Sequence, residues 1–232
     1  MNRLFVSAAH KSSGKTTVCI GLCAALRARG EAVQPFKKGP DYIDPLWLGL
    51  AAGRPCYNLD PYLSGADEIR AEFAQRMHGA SLGLLEGNKG LYDGLDLDGS
   101  NSNAALAALI GAPVVLVIDA RGMTRGIAPL ILGFQAFDKN IHIAGVILNQ
   151  LGGARHEAKL RAVIAHYTGV PVLGAVQHDE RLTIVERHLG LVPSNEAEAA
   201  HLHVDEIAAR IAAQVDLDRL LAVAQAAAPY PV

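Results

Sequence analysis

The run AAHKSSGKTT, residues 8–17, places a lysine and two threonines behind a glycine where a stretch of helical periodicity begins. This is the pattern of a phosphate-binding loop. Backbone N–H groups converge on phosphate oxygens at a helix N-terminus, and the helix dipole adds partial positive charge. In that pattern Lys15 reaches the β- and γ-phosphates and the Thr16 hydroxyl ligates Mg²⁺, with His10, Lys11, Ser12, Ser13 and Thr17 completing the cradle around Gly14. The first position of G-x-x-x-x-G-K-[ST] is Ala9 and not glycine. Alanine suits the loop if its φ is negative. A serine-capped helix that happens to begin Gly-Lys-Thr is the plainer alternative.

Carboxylates recur where a nucleotide would need them. FKKGPDYIDP follows one apolar run and EGNKGLYDG ends another, which puts Asp41, Asp44, Glu86 and Asp93 after strand C-termini. In an open parallel sheet those segments meet in one crevice beside the phosphate loop. Mg²⁺ keeps several waters, so one or two carboxylates suffice to hold it. The remainder are expected to orient a group that attacks the γ-phosphate, or to hold a second cation. Capping of a short helix by Asp41 and Asp44 is the competing reading. Asn149 ends the run AGVILN, where its amide has donors and an acceptor to offer an adenine edge.

These residues need a scaffold, and the sequence supplies one. RLFVSA, AVQPF, LGLLE, PVVLVID, IAGVILN and VPVLGAV read as strands, separated by helical stretches that include about 66–78, 125–138 and 154–166. Near-continuous apolar strands alternating with helices indicate an α/β fold: a mostly parallel central sheet flanked by helices. Residues 37–63 form a loop around a short helix, and GNKGLYDGLDLDGSNSN is too long for a plain connection. Residues 1–195 are expected to form the nucleotide domain and 196–228 its C-terminal helices, with 229–232 the start of a linker or a plain tail.

Composition narrows the class. The chain has 232 residues, half of them hydrophobic, with a formal net charge of −2, so no overall basic field points to nucleic acid or an anionic membrane. Cys19, Cys23 and Cys56 lack partners at metal-ligand spacing and are read as structural. There is no apolar run long enough to span a bilayer and no signal-peptide pattern at the N-terminus, so a cytoplasmic enzyme or switch is expected.

The segments VQPFKKGPDYIDP, RPCYNLD, EGNKGLYDG, GAPVVLVIDARGM, AGVILNQLGG and RHLGLVP occur in the order found in cobyrinic acid a,c-diamide synthases, which this sequence resembles over about residues 3–196. The resemblance implies a P-loop NTPase fold of the dethiobiotin-synthetase type and ATP- and Mg²⁺-dependent amidation of two acetate side chains of a modified tetrapyrrole. It also implies a glutamine amidotransferase domain or subunit as the source of ammonia. By position, Lys15 and Thr16 hold phosphate and metal, Glu86 sits at the nucleotide metal, Lys37 neutralises charge near the γ-phosphate, and Asp41, Tyr42, Asp44 and Asp93 belong to the substrate and catalytic loops. Thr16, Asp44 and Glu86 form the implied metal set.

The sequence departs from that family at Lys38, at Asn88-Lys89, in the polar run DLDGSNSN and in AVQHDE. The added cations suit a macrocycle richer in free carboxylates, as in a subgroup linked to siroheme. No glutaminase nucleophile is present, so these residues are expected to be the synthetase part of a longer protein or to receive ammonia from a separate chain. A ParA/MinD-like ATPase switch is the alternative from another class. His10 stands where such switches carry a signature lysine. A homodimer is compatible with the ligase reading.

Overall fold

The computed structural model describes residues 1–182 and 194–230, with side chains of the last helical segment described from 199 onward. The RHLGLVP run at 187–193 lies outside the described residues, as do positions 231 and 232.

Seven strands form one sheet: β1 (Arg3–Ala8), β2 (Val33–Lys38), β3 (Tyr57–Leu59), β4 (Leu82–Glu86), β5 (Val114–Asp119), β6 (Ile143–Leu151) and β7 (Val172–Gln177). Every pairing is parallel, in the order β3-β2-β4-β1-β5-β6-β7. The order reverses around β1 and β4, and there the loops leave a crevice at the strand C-termini. The strands are apolar on both faces because both faces are covered. Helices α1 (Lys15–Ala28), α2 (Asp44–Ala52), α7 (Ser194–Gln214) and α8 (Leu217–Gln225) close one side, around Leu4, Val6, Ile20, Leu22, Ile207 and Leu220. Helices α3 (Ala66–Arg76), α4 (Asn103–Leu109), α5 (Ile127–Phe137) and α6 (Ala154–Tyr167) close the other, around Phe5, Phe36, Phe73, Leu116 and Ile131.

The expected strands and helices are present with small shifts at their ends. Strand β3, three residues long, and helix α4, the short run NAALAAL directly after a polar loop, were not expected. The expected boundary at 195 falls in the first turn of α7. The helices expected at 196–228 are two and end at Gln225, since Val215 leaves α7 to bridge Gly174 of β7 and Asp216 then caps α8 by accepting from the Arg219 N–H at 3.0 Å. Where a linker or tail was expected, the chain as far as Tyr230 packs on the domain. The Tyr230 ring stacks on Phe73, its hydroxyl donates to the Arg70 carbonyl, and buried Arg3 donates to the Ala228 carbonyl.

Candidate active site at the phosphate loop

Between β1 and α1 the backbone turns twice into the left-handed region, at Ser12 (φ 65°) and Gly14 (φ 80°). Gly14 is needed there for space as well as conformation. A Cβ on it would lie 2.2 Å from Asn149 Nδ2, and that amide donates to the Ser13 carbonyl at 2.9 Å from a buried position at the end of β6. Asn149 therefore braces the loop from below through the donor that the sequence reading assigned to an adenine edge. The Ser13 hydroxyl closes the turn onto the His10 carbonyl. Ala9 does not adopt a positive φ, so the missing first glycine leaves no strain. Helix α1 opens with Lys15 and has no acidic residue in its first turn, which leaves its N-terminal dipole uncompensated for an anion. His10 and Lys11 are exposed and Thr17 is half-buried.

Four residues of separate elements then converge. Lys37, buried at the end of β2, donates to Asp44 Oδ2 at 2.5 Å, to Glu86 Oε1 at 3.0 Å and to the Gly87 carbonyl at 3.3 Å. Thr16 Oγ1 lies 2.6 Å from Glu86 Oε1 and 3.3 Å from Asp44 Oδ2. Lys15 Nζ is 3.8 Å from the same Glu86 oxygen, and Asp41 Oδ2 is 3.8 Å from Lys37. Burial alone would pull the Lys37 ammonium down; the adjacent Glu86 and Asp44 outweigh it and hold its pKa well above the ordinary lysine value. Lys37 is therefore a permanent cation.

Two of the sequence readings for Asp41 coexist. One oxygen accepts from the N–H groups of Ile43 and Asp44, the capping role, while the other faces Lys37. Asp93 stands apart from the cluster, exposed, with Oδ2 accepting from the Gly90 N–H within its own loop. Tyr42 is also exposed, two-thirds of its surface open at the mouth of the crevice. Lys38, by contrast, is buried, its ammonium 3.1 Å from Asn101 Oδ1; burial lowers its pKa, with Asp60 opposing and Lys89 reinforcing that shift.

Two supporting residues escaped the sequence reading. Asn103, fully buried at the start of α4, donates through Nδ2 to Ser7 Oγ and to the carbonyls of Gly90 and Asn88, and its Oδ1 accepts from the Asn88 N–H. It fixes the β4–α4 loop against β1. Asn58 exchanges two hydrogen bonds with the Asp41 backbone and holds the β2–α2 loop. Both are short amides bordering polar loops, Asn58 in β3 and Asn103 at the start of α4, and such residues read as turn residues when seen in sequence alone.

The donor set fits a nucleotide-bound Mg²⁺. Glu86 Oε2 is buried without a hydrogen-bond partner, beside a threonine hydroxyl and a second carboxylate, and all three are hard oxygen ligands. Among the described residues no three His, Cys, Asp or Glu side chains group as a protein-only metal nest. Cys19 and Cys23 are buried and free. No described helix is long and apolar enough to cross a membrane.

A doubly wound parallel sheet with a glycine-bearing loop at the mouth of its first helix defines a P-loop NTPase fold. Solved structures that share it include the following two. One is a MinC:MinD cell division complex from Aquifex aeolicus (TM-score 0.57, 11% identity, covering 100% of this chain and 99% of that one). The other is chloroplast FtsY from Physcomitrella patens (TM-score 0.52, 15% identity, covering 87% and 64%). Residues 5–192 match the CobQ/CobB/MinD/ParA nucleotide binding domain, and the chain belongs to that family. It is 49% identical over 227 residues to the cobyrinate a,c-diamide synthase of Magnetococcus marinus, covering 98% of this chain and 49% of the relative. It is 48% identical over 234 residues to the hydrogenobyrinate a,c-diamide synthase of Thermobifida fusca, covering 98% and 48%. The chain thus spans about half the length of the curated relatives it matches.

Proposed function

We propose that this domain uses ATP and Mg²⁺ to activate acetate carboxylates of a modified tetrapyrrole as acyl phosphates, which ammonia then converts to amides. A carboxylate resists ammonia because it is anionic and hydroxide leaves poorly. Transfer of the γ-phosphoryl group to a carboxylate oxygen releases ADP and gives an acyl phosphate, whose carbonyl carbon is electrophilic because the carboxylate resonance is lost and phosphate is a good leaving group. Ammonia adds there, the C–O bond to phosphate breaks, and inorganic phosphate and a proton depart. The observation that carries the reading is the buried Lys37 held between Glu86 and Asp44 beside Lys15 and Thr16. The names of the relatives supply the substrate class.

In this reading Thr16, Glu86 and Asp44 hold Mg²⁺, which when bound screens phosphate charge. Lys15 and the loop N–H groups bind the phosphates. Lys37 places a fixed cation where charge spreads over the equatorial oxygens during transfer, and catalysis is positioning plus neutralisation. Asp41 and Asp93 orient the incoming acetate or ammonia, and Tyr42 meets the macrocycle at the crevice mouth. In the assembled enzyme ammonia comes from glutamine through an amidotransferase domain or subunit. Siroheme is the second candidate substrate, favoured by the extra exposed cation Lys89.

The test mixes the chain with ATP, Mg²⁺ and ammonium and offers cobyrinic acid and siroheme in parallel. Mass spectrometry reads each exchange of OH for NH₂. Amide formation on either macrocycle names the substrate, and ATP binding without amidation of either rejects the reading.

A further inference from the structure

More than half of the large apolar side chains exposed among the described residues lie at one end of the sheet. Tyr42 and Leu46 follow β2, Tyr62 and Leu63 follow β3, and Leu95 and Leu97 follow β4. Leu63 is 72% exposed, Leu95 68%, and Leu97 stands clear of any neighbour. Strands β3, β2 and β4 are consecutive in the sheet, so these loops are adjacent. They are also tied together: Asn58 bonds the Asp41 backbone from the β3 side, and Lys38 bonds Asn101 from the β4 side. Two of the segments that carry the collar also carry the Lys37 cluster: Asp44 opens α2 after β2, and Glu86 ends β4.

A soluble surface seldom gathers apolar groups this way without an occupant. The chemistry of the cluster selects one. An acetate arm carries its carboxyl one methylene from the ring, so a carboxylate that reaches the γ-phosphate brings its ring down onto the loops around Lys37. A tetrapyrrole is a broad apolar disc edged with carboxylates. Leucine and tyrosine side chains match the disc, and Lys89, exposed in the β4–α4 loop, matches the edge. We infer that the collar formed by Leu46, Tyr62, Leu63, Leu95 and Leu97 is the seat of the macrocycle face, and that it sets affinity for the ring independently of nucleotide binding. This rests on the tetrapyrrole reading above.

The test titrates cobyrinic acid into the chain by its visible absorbance, with a fluorescent ATP analogue titrated separately. Leu63→Asp and Leu97→Asp are compared with Leu132→Asp, which changes an exposed leucine of α5 far from the crevice. Each collar variant is expected to weaken macrocycle binding about tenfold or more, leaving nucleotide binding unchanged, while Leu132→Asp leaves both unchanged. Leu63→Thr and Leu97→Thr repeat the comparison with smaller, uncharged changes, so that a folding defect, seen as loss of nucleotide binding, does not decide the result. Wild-type affinity in all collar variants overturns the inference. So does retained macrocycle binding in variants that no longer associate with a glutaminase half, since the collar is then a protein interface. Wild-type protein that binds ATP but no macrocycle rejects the parent reading, whereas macrocycle binding that ignores the collar rejects this inference alone.

Discussion

Gly14→Ala tests the architecture of the phosphate loop. The new Cβ would lie 2.2 Å from Asn149 Nδ2, and the residue holds φ at +80°. The left-handed conformation costs a non-glycine residue about 1–2 kcal/mol. Relieving the overlap moves a buried amide away from the Ser13 carbonyl, now 2.9 Å from it, and an unpaired buried carbonyl costs about 1–3 kcal/mol. The loss in unfolding free energy is therefore about 2–5 kcal/mol, below the total stability of a typical domain, so the variant folds. Urea denaturation reads the loss, and titration with a fluorescent ATP analogue reads the loop's function, expected to weaken about tenfold or more as its N–H groups shift. Asn149→Ala gives up the same hydrogen bond by itself. If the overlap is the cause, the double variant is more stable than the sum of the single losses predicts, by about 1–3 kcal/mol. A Gly14→Ala loss below about 1 kcal/mol, or strict additivity with Asn149→Ala, refutes the argument.

Lys37→Met leaves the fully buried Glu86 without its nearest cation and should cost about 3–5 kcal/mol of stability along with the phosphoryl transfer; thermal melts that match wild type would contradict this. Asp179 is held at about 2 by Arg181, with Arg210 adding to the effect. A depressed carboxyl contributes stability that is present above its unfolded pKa and lost as pH falls toward the folded one. The deficit of Asp179→Asn relative to wild type should therefore be full at neutral pH and shrink below about pH 4, and a pH-independent deficit would count against the pairing. The Cys56 thiol is pushed up to about 12 by burial and then by Glu86. Its alkylation by iodoacetamide in the native protein should be slow at pH 8 and still accelerating beyond pH 9, and a midpoint near that of a free thiol, about 8.5, would show that it is not so shielded.

The parallel sheet was legible because strands buried on both faces leave runs such as VVLVID that no amphipathic helix requires. The Lys15-Thr16 loop was legible because its chemistry demands adjacent residues. Strand β3 was hidden because three residues at a sheet edge carry no periodicity, and α4 because its seven residues, NAALAAL, are too short a run to show one. The meeting of Lys37 with Asp44 and Glu86 depends on β2 and β4 being neighbours, which residue spacing does not encode. Asn149 carries a duty that its place at a strand end did not disclose: beside the ligand contact expected of it, its Nδ2 braces the left-handed turn above.

The pairing of Val215 with Gly174 has a consequence for how the protein behaves at high concentration. An outermost strand exposes unpaired N–H and C=O groups on which another chain can template. On β7 the Leu173 carbonyl accepts from the Asp216 N–H at 2.8 Å and the Gln177 N–H donates to Gln214 Oε1 at 2.8 Å, so residues 214–216 occupy that flank. The approach is so close that a Cβ on Gly174 would meet Val215 at 2.7 Å. At the opposite flank β3 has only three residues. Both borders thus discourage growth of the sheet by addition of strands, which protects the domain from edge-to-edge aggregation and leaves helical faces and loops as the surfaces through which copies can associate.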